Sequence, residues 1–230
     1  MSDLLENSVF FGVAVSFAAY LAGTLLRKKF NIPILNPLLV AIVITMLILL
    51  AANVDYQSYN EGAKYLSYLL TPATVCLAIP LYEQTELLKN NVKAIIVGIV
   101  SGVLTSLICV FVMALMFNLS HEEYVTLLPK SITTAIGMGV SEELGGYANI
   151  TVAIIIITGV LGNIIAETVC RIFRITHPVA KGVAIGSSSH AVGTAKAMEM
   201  GEIEGAMGSL SIAVAGLLTV VGAILFSNLI

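Results

Sequence analysis

The chain has 230 residues, of which 58% are hydrophobic and 11% charged, and its formal net charge is −3. A soluble domain usually carries about 25% charged residues, so this composition excludes a soluble protein that covers its surface with polar groups. The mean hydropathy of +0.98 and several uncharged runs longer than about 18 residues instead predict an all-α protein that crosses a membrane several times. Basic residues form no stripe, so nothing indicates nucleic-acid binding.

The first half of the chain predicts four crossings, the third of them interrupted. The acidic start MSDLLENS lacks the basic region of a secretory signal, so we expect the first crossing to be retained. Asn36-Pro37 has the chemistry of a helix start, an N-cap side chain followed by proline at the first helical position. Pro72 and Pro80 remove backbone donors, so the crossing that contains them should be bent or broken. The predicted crossings are Asn7–Leu26, Asn36–Val54, Gly62–Gln84 and Ala94–Phe117.

The second half of the chain contains a short apolar segment that is too brief for an ordinary crossing. Within Glu123–Gly145, the uncharged stretch Ser131–Ser141 has only 11 residues and includes two glycines. This length favours a re-entrant or interrupted helix over a full span. A full crossing is the alternative. The remaining predicted crossings are Leu144–Cys170, the interrupted segment His177–Met200, and Ala206–Leu229.

The charges of the links predict the orientation of these segments, because basic links mark the cytoplasmic side. With Glu123–Gly145 re-entrant, the pattern gives an outside N-terminus and seven crossings, or eight if that segment crosses. Residues 1–230 then form a single membrane domain that contains two inverted triplets, 35–118 and 148–229, each with a broken helix at its centre. The basic links are Arg27-Lys28-Lys29, Lys89/Lys93 and Arg171/Arg174/Lys181, and the acidic links are at Asp55, Glu122-Glu123 and Glu202/Glu204.

Three polar stretches interrupt the apolar pattern and are the candidate functional site. Backbone freed from a helix cannot stay unpaired in hydrocarbon, so it must line a cavity or be capped. The N-termini of half-helices hold carboxylates well, and transporters place such breaks near the bilayer midplane. We therefore expect a site for a small organic anion, with a proton or sodium ion as a possible coupling ion. The candidate residues are Thr71, Pro72 and Thr74 (with Thr71 as an N-cap), then Lys130, Ser131, Thr133 and Thr134, then Ser188, Ser189, His190, Gly193 and Thr194.

Each candidate also has a structural alternative. Hydroxyls in membrane helices often bond their own backbone or a neighbouring helix. Lys130 could extend its ammonium to the headgroups, and His190 could be a satisfied buried imidazole. Pro72 could be a mere kink. The surface ion pairs that we expect are Glu167 with Arg171 or Arg174, and Lys196 with Glu199.

Enzymatic motifs are not indicated by the sequence. GSSSH lacks the spacing of a nucleophile elbow, and GTAK lacks the second glycine of a Walker motif. The three histidines and three cysteines are scattered along the chain without the spacing of metal ligands. We therefore predict no enzymatic activity, no cofactor and no metal.

At these same stretches the chain resembles the LrgB/CidB family of bacterial membrane proteins, which includes the LrgB-like part of the plastid glycolate/glycerate translocator. Four blocks carry the resemblance in a fixed order, over essentially the whole chain. Departures from the family pattern occur at Lys181-Gly182 and around His190. The blocks are NPLLVA (Asn36–Ala41), LLTPATVCLAIPLYEQ (Leu69–Gln84), LPKSITTAIGM (Leu128–Met138) and GVAIGSSSHAVGTAKAME (Gly182–Glu199).

The resemblance implies a location in the bacterial cytoplasmic membrane and two alternative functions. One is transport of small monocarboxylates such as pyruvate, glycolate or glycerate, with an indirect effect on autolysis. The other is holin-like or antiholin-like modulation of murein hydrolase activity and lysis, together with a small LrgA/CidA-type membrane partner. Discontinuous helices favour transport, because a lysis pore gains nothing from them. Analogy with carriers of similar size suggests a homodimer.

Overall fold

The computed structural model describes residues 10–30, 32, 35–76 and 78–230, and every regular element in these ranges is a helix. The chain forms two compact units, Met1–Cys76 and Leu77–Ile230. The helices of the first unit are α1 (Phe11–Phe30), α2 (Pro37–Ala52), α3 (Tyr56–Ser67) and α4 (Leu70–Cys76). Those of the second are α5 (Ala78–Glu83), α6 (Thr85–Phe117), α7 (His121–Leu127), α8 (Thr134–Glu143), α9 (Ala148–Ile172), α10 (Pro178–Met200) and α11 (Glu202–Ser227).

In the first unit, α1 packs against α2 and α3 through two glycines. A Cβ on Gly23 would lie 2.6 Å from the carbonyl oxygen of Pro37, and a Cβ on Gly12 would overlap the backbone of α3. The predicted helix start at Asn36-Pro37 is confirmed. The Asn36 side chain accepts a hydrogen bond from the N–H of Leu38 at 2.9 Å, which satisfies one of the free donors at the beginning of α2.

The predicted break in Gly62–Gln84 is confirmed, because this segment contains the end of α3, all of α4 and all of α5. The predicted N-cap is wrong by at least one residue. Helix α4 already begins at Leu70, so Thr71 is its second residue and Pro72 its third. Pro72 still lies in the first helical turn, where its missing N–H breaks no intrahelical hydrogen bond.

Three helices of the second unit are long and apolar enough to cross a membrane, and they overlap three of the predicted crossings. These helices, α6, α9 and α11, have 33, 25 and 26 residues, and about 20 residues span the hydrocarbon core. Large apolar side chains remain exposed on their outer faces; Val97 is 67% exposed and Leu217 is 71% exposed. Lipid rather than water is the solvent that suits such a surface.

The segment Glu123–Gly145 forms a helical hairpin. Its two helices, α7 and α8, are joined by a non-helical stretch at residues 128–133. Near the start of the segment, the Thr126 hydroxyl accepts a hydrogen bond of 2.8 Å from the N–H of Tyr147, just beyond its end. The two ends of the segment therefore lie together, which is the arrangement predicted for a re-entrant element.

Helix α10 is a second hairpin. Ser189 and His190 have non-helical backbone angles, so the helix is broken into two arms. Gly182 in the first arm and Met198 in the second would be about 24 Å apart in a straight helix. Both instead pack against the first turn of α11, so the chain reverses at the break and returns to the end from which it started.

This second hairpin corrects the prediction that His177–Met200 crosses the membrane. A segment of this length is long enough to cross, but hydropathy measures length and not the direction of the chain after a break. The acidic link before α11 was also placed on the wrong side. The Glu204 Oε1 atom lies 3.6 Å from the Lys181 Nζ atom, so both charges are at the same end of the unit.

The two hairpins enter the second unit from opposite ends. At the far end of α11, the Tyr124 hydroxyl of α7 donates a hydrogen bond of 3.0 Å to the Phe226 carbonyl. The arms of α10 begin and end beside the first turn of the same helix. One of the seven predicted crossings is therefore replaced by a re-entrant hairpin, so the predicted total of seven crossings and the inverted repeats are not confirmed. The single-domain assignment stays a prediction.

Candidate functional site

The bends of the two hairpins open onto one cavity of about 400 Å³ beside α9. Lys130 comes from the α7–α8 bend, and Ser188 and Ser189 come from the α10 break. Thr158 of α9 supplies a further hydroxyl. Two of the three predicted polar stretches thus contribute to the same cavity. The remaining lining residues are Leu161, Gly162, Ile165, Ala166, Val169 and Cys170 of α9, with Ile175, Ala184 and Ile185.

Among the described residues that line the cavity, Lys130 is the only one with a full charge. Its Nζ atom donates a hydrogen bond of 3.0 Å to the Ser131 hydroxyl. Ser131 is itself buried and lies 3.1 Å from the Ser106 hydroxyl of α6. Within the described ranges, no carboxylate lies within ion-pair distance of Lys130. A partly buried ammonium without a counter-ion is costly, so the cavity is suited to an anion.

The serines at the α10 break present their hydroxyls to each other and to the helix. Ser188 donates to the Ala184 carbonyl at 2.7 Å, and its oxygen lies 3.1 Å from that of Ser189. The Ser189 side chain fills the space above Gly162 of α9, where an added Cβ would overlap its hydroxyl. The absence of a side chain at Gly162 therefore lets the bend of α10 reach α9.

His190 faces α9 and is not among the cavity-lining residues. Its Nε2 atom lies 2.9 Å from the Ile155 carbonyl oxygen, and its ring packs on Gly159, where a Cβ would come within 2.5 Å of the ring. The backbone of His190 has φ 42° and ψ −142°, a region that glycine adopts more easily. The hydrogen bond to α9 holds this strained turn in place, which is the buried-imidazole alternative.

The other candidate residues of the second unit lie near the two bends but do not line the cavity. Gly193 packs against Ser189, and Thr194 is fully buried with no hydrogen-bond partner for its hydroxyl among the described atoms. Thr133 is the N-cap residue of α8 and Thr134 its first residue, and both are partly exposed. None of these four residues is among those that line the cavity.

The first polar stretch belongs to the other compact unit. Pro72 is exposed there. The side chains of Thr71 and Thr74 lie outside the described part of the structure, and only their helical backbone is described. Their part in a site stays a prediction.

Sequence reasoning missed the face of α9 that receives the α10 break. Asn163, which is buried in this apolar helix, donates a hydrogen bond of 2.8 Å to the Val192 carbonyl, a group close to the break. Gly159, Gly162 and Asn163 share one helical face at spacings of three and four. Two glycines beside an asparagine on one face of an apolar helix are the sequence signal that could have predicted this contact. Small residues in membrane helices allow another backbone to approach closely.

Comparison with known proteins identifies the family of this chain. The LrgB-like family model matches residues 16–229. The chain is 40% identical over 213 residues to proteins named antiholin-like protein LrgB from Bacillus cereus (strain B4264) and Bacillus anthracis (strain A0248), covering 92% of this chain and 93% of each relative. The chain belongs to the LrgB-like family. The resemblance seen in the four sequence blocks is therefore confirmed.

Membership in the LrgB-like family, with three helices suited to crossing a bilayer, makes this a multi-pass protein of the cell membrane. The LrgB-like family is not a known class of enzymes. No solved structure shows a significant match to the chain.

Proposed function

We propose that this chain is an antiholin-like membrane protein that modulates murein hydrolase activity and cell lysis together with a small LrgA/CidA-type partner. The observation that carries this proposal is the 40% identity, over 92% of the chain, with relatives named antiholin-like protein LrgB. The fold is compatible with such a role, since the large apolar side chains exposed on its helices offer surfaces for a membrane partner.

The test is deletion and restoration of the gene in the bacterium that carries it. Deletion should speed detergent-induced autolysis and raise murein hydrolase activity in cell extracts, and the restored gene should reverse both effects. The LrgA/CidA-type protein should co-purify with the tagged chain from membranes. Unchanged lysis and unchanged hydrolase activity after deletion would reject the proposal.

A second function, transport of a small monocarboxylate such as pyruvate, glycolate or glycerate, is favoured by the cavity at the two hairpin bends. Its volume of about 400 Å³ suits a small guest, and Lys130 offers an ammonium group that no carboxylate in the described residues neutralises. The hydroxyls of Ser188, Ser189 and Thr158 add neutral hydrogen-bonding groups. Charge-assisted hydrogen bonds of this kind are the strong ones for carboxylates.

The opposite directions of the hairpins support a carrier rather than a permanent pore. A hairpin that moves at one end of the unit would open the cavity to that side alone, while the other hairpin keeps it closed. Broken helices at the midplane are a recurring basis of such alternating access. The coupling ion, a proton or sodium, is part of this second proposal.

Uptake of radiolabelled pyruvate and glycolate into proteoliposomes tests the second function, with imposed proton or sodium gradients to identify the coupling ion. Saturable uptake without leakage of a large trapped dye supports a carrier. Leakage of the dye without saturable uptake supports a pore. Neither uptake nor leakage, together with a stable complex with the LrgA/CidA-type protein, supports a scaffold and leaves only the antiholin-like function.

A further inference from the structure

A second, strongly charged cavity adjoins the first and has no role in either proposed function. Its volume is about 730 Å³, and it lies between the end of α9 and both arms of α10. Cys170 and Ile175 line both cavities, so the two are neighbours. Four basic and two acidic side chains line it, an excess of two positive charges. They are Arg171, Arg174, Lys181 and Lys196, with Glu167 and Glu199.

The acidic side chains of this cavity are already engaged by two of its basic side chains. Glu167 lies 3.6 Å from Arg171 and 3.5 Å from Lys196, and Glu199 lies 3.2 Å from Lys196. Lys181 pairs with Glu204, which does not line the cavity. In the described ranges, no carboxylate comes within ion-pair distance of Arg174. With Glu204 counted, three carboxylates face the four basic side chains, so the net excess is one positive charge, and Arg174 is the side chain that carries it.

The ordinary reasons for basic residues at helix ends explain only part of this cluster. Arg171 is in the last turn of α9 and Arg174 follows it, where positive charge favours the helix dipole and marks the cytoplasmic side. Lys181 lies in the first turn of α10, where the helix dipole disfavours a positive charge. Lys196 comes from the returning arm and is only 15% exposed. These two lysines reach the cavity because the hairpin folds back.

The backbone at Arg174 is also unusual for a residue of its size. Helix α9 ends in a Schellman-type turn, in which the N–H of Ile175 donates to the Cys170 carbonyl at 2.8 Å. The left-handed position of this turn, with φ 54°, is occupied by Arg174 and not by the usual glycine. A guanidinium is thus kept at the rim of the cavity at a place where the backbone alone would favour glycine.

We propose that this charged cavity is a binding site for a doubly charged phosphate group, carried either by a soluble phosphate or by a phospholipid headgroup. A phosphate monoester has about two negative charges and several acceptor oxygens at neutral pH, so it can accept hydrogen bonds from Arg174 and also from Lys181, whose contact with Glu204 is 3.6 Å long. The guanidinium of one arginine can donate two parallel hydrogen bonds to two oxygens of a phosphate. Basic pockets between membrane helices on the cytoplasmic side also hold lipid headgroups, so both sources share one chemistry. The proposal rests on this cavity alone and is independent of the cargo of the first.

Thermal unfolding of the purified protein in an uncharged detergent tests the proposal. A ligand that binds only the folded protein raises the melting temperature by mass action. Inorganic phosphate is one probe and dihexanoyl phosphatidic acid the other. Sodium chloride of equal ionic strength and dihexanoyl phosphatidylcholine are their controls. A rise with phosphate identifies a soluble ligand, and a rise with phosphatidic acid alone identifies a lipid headgroup.

The decisive variant is Arg174→Gly, because glycine suits the left-handed backbone while removing the guanidinium. It should fold at least as well as the parent and bind the active probe with roughly tenfold or greater loss of affinity. Arg174→Lys should lose less, and Lys93→Gln, which removes an exposed lysine outside the cavity, should lose nothing. No rise with either probe, or an equal rise in Arg174→Gly, would overturn the proposal.

Discussion

Replacing Lys130 by methionine should weaken monocarboxylate binding strongly without destabilising the fold. A carboxylate about 4 Å from an ammonium gains about 4 kcal/mol at an effective dielectric constant of about 20. Loss of water from both groups offsets part of this gain and leaves about 1.5–3 kcal/mol for a charge-assisted hydrogen bond. That range corresponds to a roughly 10- to 100-fold increase in Kd. The measurement is the KM for uptake of labelled pyruvate into proteoliposomes, together with the melting temperature.

The melting temperature separates a binding role of Lys130 from a structural one. Its ammonium makes one hydrogen bond, to the Ser131 hydroxyl, and has no carboxylate partner in the described part of the chain. Removing a partly buried, unpaired charge should be neutral or stabilising, whereas removing a structural contact would lower the melting temperature. Lys93→Met, at an exposed lysine of α6, is the matched control. An unchanged KM in Lys130→Met, or an equal change in the control, would refute the assignment.

Three further predictions concern the hairpins. Gly162→Ala should lower stability by about 1–3 kcal/mol, because the new methyl overlaps the serine at the α10 break. Gly139→Ala, with open space around it, should instead stabilise its helix by roughly 0.5–1 kcal/mol. Equal changes in the melting temperatures of the two variants would count against the close approach of α10 to α9. His190→Ala should have a lower melting temperature than His190→Gly. Both variants lose the hydrogen bond to α9, but at φ 42° only alanine has a Cβ that strains the backbone. The reverse order would show that the backbone at this position is not strained. The double variant Lys181→Met/Glu204→Gln should lose about 0.5–3 kcal/mol less stability than the sum of the losses in the two single variants. Additive losses would contradict a favourable interaction in the pair at 3.6 Å.

The sequence was sufficient to predict where the helices break. The polar stretch Lys130–Thr134 marked the α7–α8 bend, and the serines before His190 marked the α10 break. Such signals are local, because hydroxyls, proline and glycine change the conformation of the backbone that carries them. The capping of α2 by Asn36 was predictable for the same reason. Both ion-pair expectations were also local: Glu167–Arg171 is an i,i+4 pair and Lys196–Glu199 an i,i+3 pair.

The direction of the chain after a break was not predictable from local signals. Helix α10 turns back because its first arm packs closely on α11 through Gly182 and Gly186 and its bend fits the glycine face of α9. These contacts join residues far apart in the chain. The charge pattern then misled the prediction, since Glu204 reads as an acidic outside link but forms a salt bridge with Lys181. At this link the observed salt bridge, and not the positive-inside pattern, gives the side on which Glu204 lies.

The Lys130→Met variant can also decide whether control of lysis depends on the anion cavity. Lys130 lies at the bend of a hairpin and lines the cavity, whereas the large apolar side chains exposed on α6 and α11, which could hold a membrane partner, are not part of that lining. If lysis is modulated through metabolite flux, a cell with Lys130→Met in place of the natural gene should lyse like the deletion strain, because uptake is lost. If the protein acts by contact with an LrgA/CidA-type partner, the variant should restore normal lysis while uptake stays low. Equal amounts of protein in the membrane, checked by immunoblot, are needed for this comparison, because only then does a difference in lysis report on the cavity.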